Sequence, residues 1–282
     1  MIFRFLFILS LCFSPTAAAS GMRLHLWVAE LTLQEIKQAE LRTLLSANDG
    51  AYNAGAVFPD TGYVISHDYG EIAHWSKFLN AYFRHVVKVC PYPQLKIKRC
   101  QTLLSHFFGS LNHSILDIRF DRHIVKTSAQ MDFQGSIEQA QSTLDPDLDF
   151  IAIFEQGRSF DLPHFTTPVD NLFSVLSGLT DGNLSRNDLL LGGHILAFGY
   201  GLEPIAAALR YPIVKNNLKH TWAYKNYEYA KGGVFDGATL MAKAYDLVWS
   251  AYIEGRKDRI FYHEGAWPNV DFYINGNELD AL

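Results

Sequence analysis

Apolar residues recur along this chain at intervals of three and four, which gathers them on one face of an α-helix, while period-two alternation is scarce. A chain patterned in this way must bury one helical stripe against another, so it folds as stacked helices rather than as a sheet. Leu31, Leu33, Ile36, Leu41, Leu44 and Leu45 form such a stripe and predict a helix over 27–45. Further helices are expected over 71–89, 95–120, 134–144, 167–179, 186–209 and 234–254. Residues 46–70 are rich in Gly, Asn, Asp and Pro and read as an irregular loop. Cys90-Pro91 stops one helix, and Asp145-Pro146-Asp147 punctuates the chain after another. Strand patterns are confined to 260–262 and 270–274. With 49% hydrophobic residues, including 20 Phe, 14 Tyr and 5 Trp, there is ample material for a large aromatic core. The fold class expected is all-α, a single multi-helix domain over 20–282.

Residues 1–19 have the form of a secretory signal peptide. Arg4 supplies the positive end, 5–13 are apolar, and Ala17-Ala18-Ala19 is a small-residue cleavage site. The apolar run is shorter than the roughly 20 residues a membrane span requires. The most apolar later stretch, 189–209, carries His194 and Glu203 and is not read as a span. Cleavage after Ala19 makes Ser20 the new terminus and sends the chain to a secreted or periplasmic location. In that oxidising setting Cys90 and Cys100, bracketing Pro91 and Pro93, are expected to form a disulfide. Lys and Arg number 24 against 29 Asp and Glu, for a formal charge of −5. The chain therefore lacks the basic footprint of a dedicated nucleic-acid binder.

Several imidazoles stand near carboxylates at spacings that a metal site uses. His113 and Asp117 are four apart on one face of the expected long helix. Asp121 continues that face. His123, six residues after Asp117, joins the group only if the helix ends near Phe120. Asp60 follows Phe58-Pro59, where the proline stiffens the backbone, and His74 opens the next helix beside Trp75. His25 lies five residues after Ser20, whose terminal amine is itself a metal donor once deprotonated. Nitrogen and oxygen donors without thiolates favour zinc in a catalytic rather than a structural role. Ser66-His67-Asp68 is no catalytic triad, since adjacent residues cannot relay a proton through one another.

Two stretches carry a family resemblance. Ala51-Tyr-Asn-Ala-Gly-Ala-Val-Phe-Pro-Asp60 followed by His74-Trp-Ser-Lys-Phe-Leu-Asn80 resembles the zinc-dependent phospholipase C/D family, and within it the catalytic domain of members specific for glycosylated phosphatidylinositol. Gly109-Ser-Leu-Asn-His113-Ser-Ile-Leu-Asp117 is similar to that family's helix bearing His and Asp four apart. Asp132-Phe-Gln-Gly-Ser136 resembles the segment that follows it. The resemblance covers 20–149 and weakens beyond.

It implies the helical fold shared by zinc-dependent phospholipase C and P1 nuclease, with zinc ions at the base of a cleft. Asp60, His74, His113 and Asp117 would hold a first zinc. The Ser20 amine and carbonyl, His25 and a bridging Asp117 would hold a second. His123 and Asp145 would serve a third. Gln141 stands where the family has an imidazole, four residues before Asp145. An amide is a poorer donor, so two ions are expected and a third is left open, with Asp121 as a substitute donor.

The function implied is hydrolysis of phospholipid or glycosylated phosphatidylinositol at a transient membrane surface, with Asp60 as ligand, as general base, or as both. Exposed aromatics such as Tyr63, Tyr69 or Trp75 could admit acyl chains, although packing is the commoner use of such residues. A nuclease of the related fold and a non-catalytic lipid-binding module are the alternatives. The acidic balance counts against the nuclease, and an intact metal site would count against the binding module.

Overall fold

A computed structural model describes residues 21–157, 164–265 and 271–278. The expected signal peptide and Ser20 lie outside the described residues. The architecture is helical, as expected, with a small three-stranded sheet near its end.

The organising element is α7 (Lys98–Phe120), preceded by α1 (Met22–Glu35), α2 (Ala39–Ser46), α3 (Asp49–Val57), the single turns α4 (Asp60–Tyr63) and α5 (Tyr69–Ala73), and α6 (Ser76–Val89). From Leu103 to Phe120 every residue of α7 is buried, on all faces. A helix apolar all round belongs at the centre of a bundle. Each of its fully buried Leu and Phe side chains contributes about 1.5–3 kcal/mol relative to exposure.

The helix α3 crosses α7 at backbone contact. A Cβ on Gly55 would collide with the His106 carbonyl, and a Cβ on Gly109 would collide with the Tyr52 carbonyl. Two glycines, one per helix, let the axes meet more closely than side chains allow. Tyr245 seals the crossing, donating its hydroxyl to the Phe108 carbonyl at 2.5 Å, with the Tyr52 hydroxyl 3.1 Å away.

After Phe120 the chain makes a π-helical turn at Asp121–Val125 and continues as α8 (Lys126–Asp132). Then follow α9 (Ile137–Glu155), α10 (Val169–Leu176), α11 (Arg186–Leu218), α12 (Trp222–Asn226) and α13 (Val234–Ile253). The Cys90–Cys100 disulfide forms as expected, with Cα atoms 5.3 Å apart, and ties the end of α6 to the first turn of α7. A link of this kind typically adds about 2–4 kcal/mol. The strands β1 (Phe261–Glu264), β2 (Asp271–Ile274) and β3 (Asn277–Glu278) pair antiparallel in that order, with Phe261 opposite Ile274. Asn80 on α6 anchors the sheet: its amide oxygen accepts from the backbone of Ile260 and Phe261, and its amide nitrogen donates to the Phe261 carbonyl.

Four expectations are corrected. The 46–70 stretch is largely helical, because its glycines serve close packing rather than turns. The 27–45 helix begins earlier and breaks between Glu35 and Ala39. The 71–89 helix is interrupted at Trp75, whose backbone is extended at φ −110 and ψ 161, so His74 closes α5 instead of opening the next helix. Pro146 does not end a helix. It lies inside α9, and burial of Leu144, Leu148 and Ile151 outweighs the ladder bond that the proline lacks.

The longest helix, α11, is long and apolar enough by composition to cross a membrane. It packs on the body along one side and exposes Leu191, Ile195, Phe198, Ile205, Leu209 and Ile213 on the other. The Ser185–Asp188 capping box fixes its start.

Helix propensity alone makes Gly109→Ala stabilising by about 1 kcal/mol. The contact with the Tyr52 carbonyl reverses that sign. The expected outcome is a loss of about 1–3 kcal/mol in urea unfolding.

Candidate metal centre

The crossing of α3 and α7 brings the Ala56 carbonyl to 2.8 Å from His113 Nδ1. At the end of α5 the Gly70 carbonyl lies 2.6 Å from His74 Nδ1. A carbonyl only accepts, so both Nδ1 atoms carry hydrogens and both Nε2 atoms are left for other work. Those two Nε2 atoms face each other at 3.0 Å. In the neutral rings both would present lone pairs, which repel. The geometry is satisfied only by a cation between them or by a proton on one of them.

Carboxylates surround this point. Asp117 Oδ2 is 3.1 Å from His113 Nε2 and 3.4 Å from His74 Nε2. Asp60 Oδ1, at the start of α4, is 3.7 and 3.6 Å from the same two atoms. Asp60 Oδ1 is buried and accepts no hydrogen bond among the described residues. His25, on α1, stacks on the His113 ring at 3.8 Å between centroids and 9° between planes. Its Nε2 lies 3.0 Å from Asp117 Oδ1. Asp117 therefore offers one oxygen to His25 and the other to His74 and His113, the posture of a bridging carboxylate. His25, Asp60 and His113 form one group able to hold a metal ion, and His74, His113 and Asp117 form another. All five residues are buried, with His113 at 0% exposure and Asp60 at 5%.

The electrostatics agree with a site that needs a cation. Burial pushes the His113 imidazole down, but the Asp117 and Asp60 charges outweigh it and raise it to about 9. Burial likewise pushes Asp117 upward, yet His113 and His25 hold its carboxyl well below the usual range. Burial, with the His113 charge beside it, lowers His25.

Asp145 and His123 stand outside these two groups. Asp145, on α9, is buried, and its Oδ1 accepts no hydrogen bond among the described residues. Burial and the charges of Asp121, Asp117, Asp60 and Asp149 hold its carboxyl well above the usual range, so it lies within electrostatic reach of the centre. His123 sits in the π turn with its Cβ against Gly232. Burial and the charges of Arg119, Lys231 and Arg122 push it down to about 4. The helix does end at Phe120, as the placement of His123 required, although the chain continues in helical form. Ser20 lies outside the described residues. Of the expected aromatics, Tyr69 is core and stacks on Phe58. Trp75 stacks on His263, and Tyr63 lies 5.1 Å from the His74 ring.

Supporting residues escaped the sequence reading. Asp149 accepts the backbone N–H groups of Arg23 at 3.0 Å and Leu24 at 3.1 Å, pinning the first turn of α1 just before His25. Arg23 pairs with Glu203 of α11 at 2.6 Å. Asn112 donates to the His25 carbonyl at 3.2 Å. Asp149 follows Asp145 by four residues, so the helical spacing that paired His113 with Asp117 also pointed to it. The Ala56 and Gly70 carbonyls carry no side-chain signature.

The chain is similar to the phosphatidylinositol-glycan-specific phospholipase D of Homo sapiens, 25% identical over 255 residues that cover 84% of this chain and 30% of the relative. The Bos taurus protein of the same name is 25% identical over 250 residues, covering 83% and 29%. That of Dictyostelium discoideum is 24% identical over 287 aligned residues, covering 97% and 27%. The chain thus spans less than a third of the length of these curated relatives. No family model matches the chain, and no solved structure matches it.

The raised His113 gives the metal-free protein a signed pH dependence. Its contribution to stability is fully present below the unfolded value of 6.5 and is lost as pH rises through about 9. A metal ion replaces that proton and binds better as pH rises. Thermal melts of chelated protein should show a falling Tm from about pH 6.5 to about pH 9, and the increment added by zinc should grow over the same interval. A zinc increment independent of pH would contradict the shared-cation description.

Proposed function

We propose that the chain is a secreted zinc-dependent phosphodiesterase that hydrolyses phospholipids, glycosylated phosphatidylinositol among them, at a membrane surface. One observation carries this reading: two imidazole Nε2 atoms 3.0 Å apart, their Nδ1 atoms committed to carbonyls, set between two buried carboxylates. The similarity to proteins named phosphatidylinositol-glycan-specific phospholipase D supplies the substrate class.

The donor set suits zinc, with imidazole and carboxylate and no thiolate. In this proposal Asp60, His74, His113 and Asp117 hold one ion, while His25, Asp117 and the Ser20 amine and carbonyl hold a second. Asp145 and His123, with Asp121 in place of the imidazole absent at Gln141, offer a weaker third position. Bound zinc would neutralise the phosphodiester and lower the pKa of its water to roughly 7.

The chain's own groups do the rest. The Ala56 and Gly70 carbonyls orient the two imidazoles. Asp60 presents an oxygen without a hydrogen bond at the rim of the group, placed to take a proton from attacking water. Asp117 spreads its charge over both positions. The burial of all five residues keeps bulk water from screening the phosphate contacts. The relatives' names favour cleavage on the headgroup side, which yields a phosphatidic acid.

Product analysis on defined phospholipids tests the activity. Phosphatidic acid released by the zinc-loaded protein and abolished by chelator supports the proposal, and the absence of hydrolysis on every phospholipid and glycosylated phosphatidylinositol would refute it. His113→Ala should lower hydrolysis by more than about a hundredfold with an unchanged helical circular dichroism spectrum. An extra residue retained before Ser20 should reduce activity by displacing the terminal amine. Full activity in that form would remove Ser20 from the ligands.

A further inference from the structure

The helix α11 carries a feature that the metal centre leaves unexplained. Leu191, Ile195, Phe198, Leu202, Ile205 and Leu209 follow one another at steps of four, three, four, three and four, which sets them along one face of the helix. Ile213 extends it, for a length of about 33 Å. These side chains are 37–69% exposed. A contiguous apolar strip of this size is unusual on a free surface and marks a contact.

The opposite side of α11 is spoken for. Glu203 turns inward to Arg23 at 2.6 Å, Leu189 and Leu196 are core, and Gly192 packs against the Thr61 carbonyl, next to Asp60. The near end of the strip, at Leu191 and Ile195, is thus one helix diameter, about 10 Å, from the element that carries Asp60.

The chemistry of its borders identifies the occupant. A second copy packed along this seam would be expected to use charged flanking positions to set register, and a protein partner would meet a polar rim. The positions flanking the line are His194, Gly199, Gly201, Ala206 and Ala208. Glu203 is the one charged residue between 189 and 209, and it faces the body. Hydrocarbon makes no demand for polar partners. Charge appears at the two ends of the helix: Arg186 and Asp188 open it, Arg210 and Lys215 pair with Asp147 and Glu155, and Lys219, with Lys225 of α12 beyond it, bonds neutral partners, the Asn216 amide oxygen and the His220 carbonyl. The positive charge of Lys219 and Lys225 is left for anionic headgroups.

We propose that α11 lies flat on a phospholipid bilayer, its strip set among the acyl chains and Lys219 and Lys225, just beyond its last turn, against anionic headgroups, which holds the candidate metal centre at the lipid surface. The proposal rests on the phospholipid reading above and adds the surface by which the protein reaches its substrate.

The test is co-sedimentation with vesicles of phosphatidylcholine, with and without phosphatidylserine. It is combined with hydrolysis of the same vesicles and of dihexanoylphosphatidylcholine below its micelle concentration. The double variant I205E/L209E should bind vesicles at least about tenfold more weakly and lose vesicle hydrolysis to match, with hydrolysis of the dissolved substrate unchanged. Phe198→Gln, a milder change, should give the same direction. Lys219→Gln with Lys225→Gln should weaken binding only where phosphatidylserine is present. Wild-type vesicle affinity in I205E/L209E would overturn the proposal. So would a wild-type dimer that this variant splits while vesicle affinity stays the same, an outcome that assigns the strip to a second copy. Failure to hydrolyse the dissolved lipid or any vesicle would count against the phosphodiesterase reading alone, because sedimentation reports docking independently of turnover.

Discussion

Two imidazoles whose acceptor nitrogens meet at 3.0 Å impose a positive charge on the space between them. Everything that places them there is structural. Gly55 and Gly109 let α3 and α7 touch at the backbone, and that contact brings the Ala56 carbonyl under His113. The extended backbone at Trp75 ends α5 at His74 and leaves its ring bonded to the carbonyl of Gly70. Asp149 and Glu203 fasten the first turn of α1, so that His25 stacks on His113. A helical bundle has many buried histidines that do nothing but pack, and His106 is one here. It is pushed down to about 3 by burial, with the Tyr82 hydroxyl against its Nδ1. The centre differs because its rings are held by acceptors on one side and confront carboxylates and each other on the opposite side.

Burying this many carboxylates destabilises a metal-free fold. Asp145 and Asp149 both lie well above the usual carboxylate range, driven first by burial and then by neighbouring negative charge. Groups of this kind are retained where a cation or a function needs them. The aromatic core and the disulfide between α6 and α7 supply the stability that such a site consumes. The same division of labour extends to α11, one side of which braces the centre while the other is apolar and open.

Much of this was legible in the residues. His113 and Asp117 declare themselves by a helical spacing of four, and Pro59 marks Asp60 as held. The even cysteine pair around two prolines announced the disulfide. The opposite happened between 46 and 70, where Gly and Asn read as loop. Local propensity there yields to packing, since the glycines exist to let helices touch. Pro146 misled for a related reason, because one lost ladder bond is small beside a buried helix face. The neighbourhood of His123 was unreadable because a π turn changes the direction of every side chain after it. Backbone carbonyls are invisible to any pattern of side chains, yet two of them decide the tautomers at the centre.

Anomalous diffraction at the zinc edge, from crystals grown with zinc, addresses the central claim most directly. A peak is expected within about 2.1 Å of both His74 Nε2 and His113 Nε2, on the side of Asp60 and Asp117, with a second beside His25 and the other oxygen of Asp117. Crystals with zinc bound elsewhere and none between these two imidazoles would mean that a shared proton satisfies them, and the metal centre would fall.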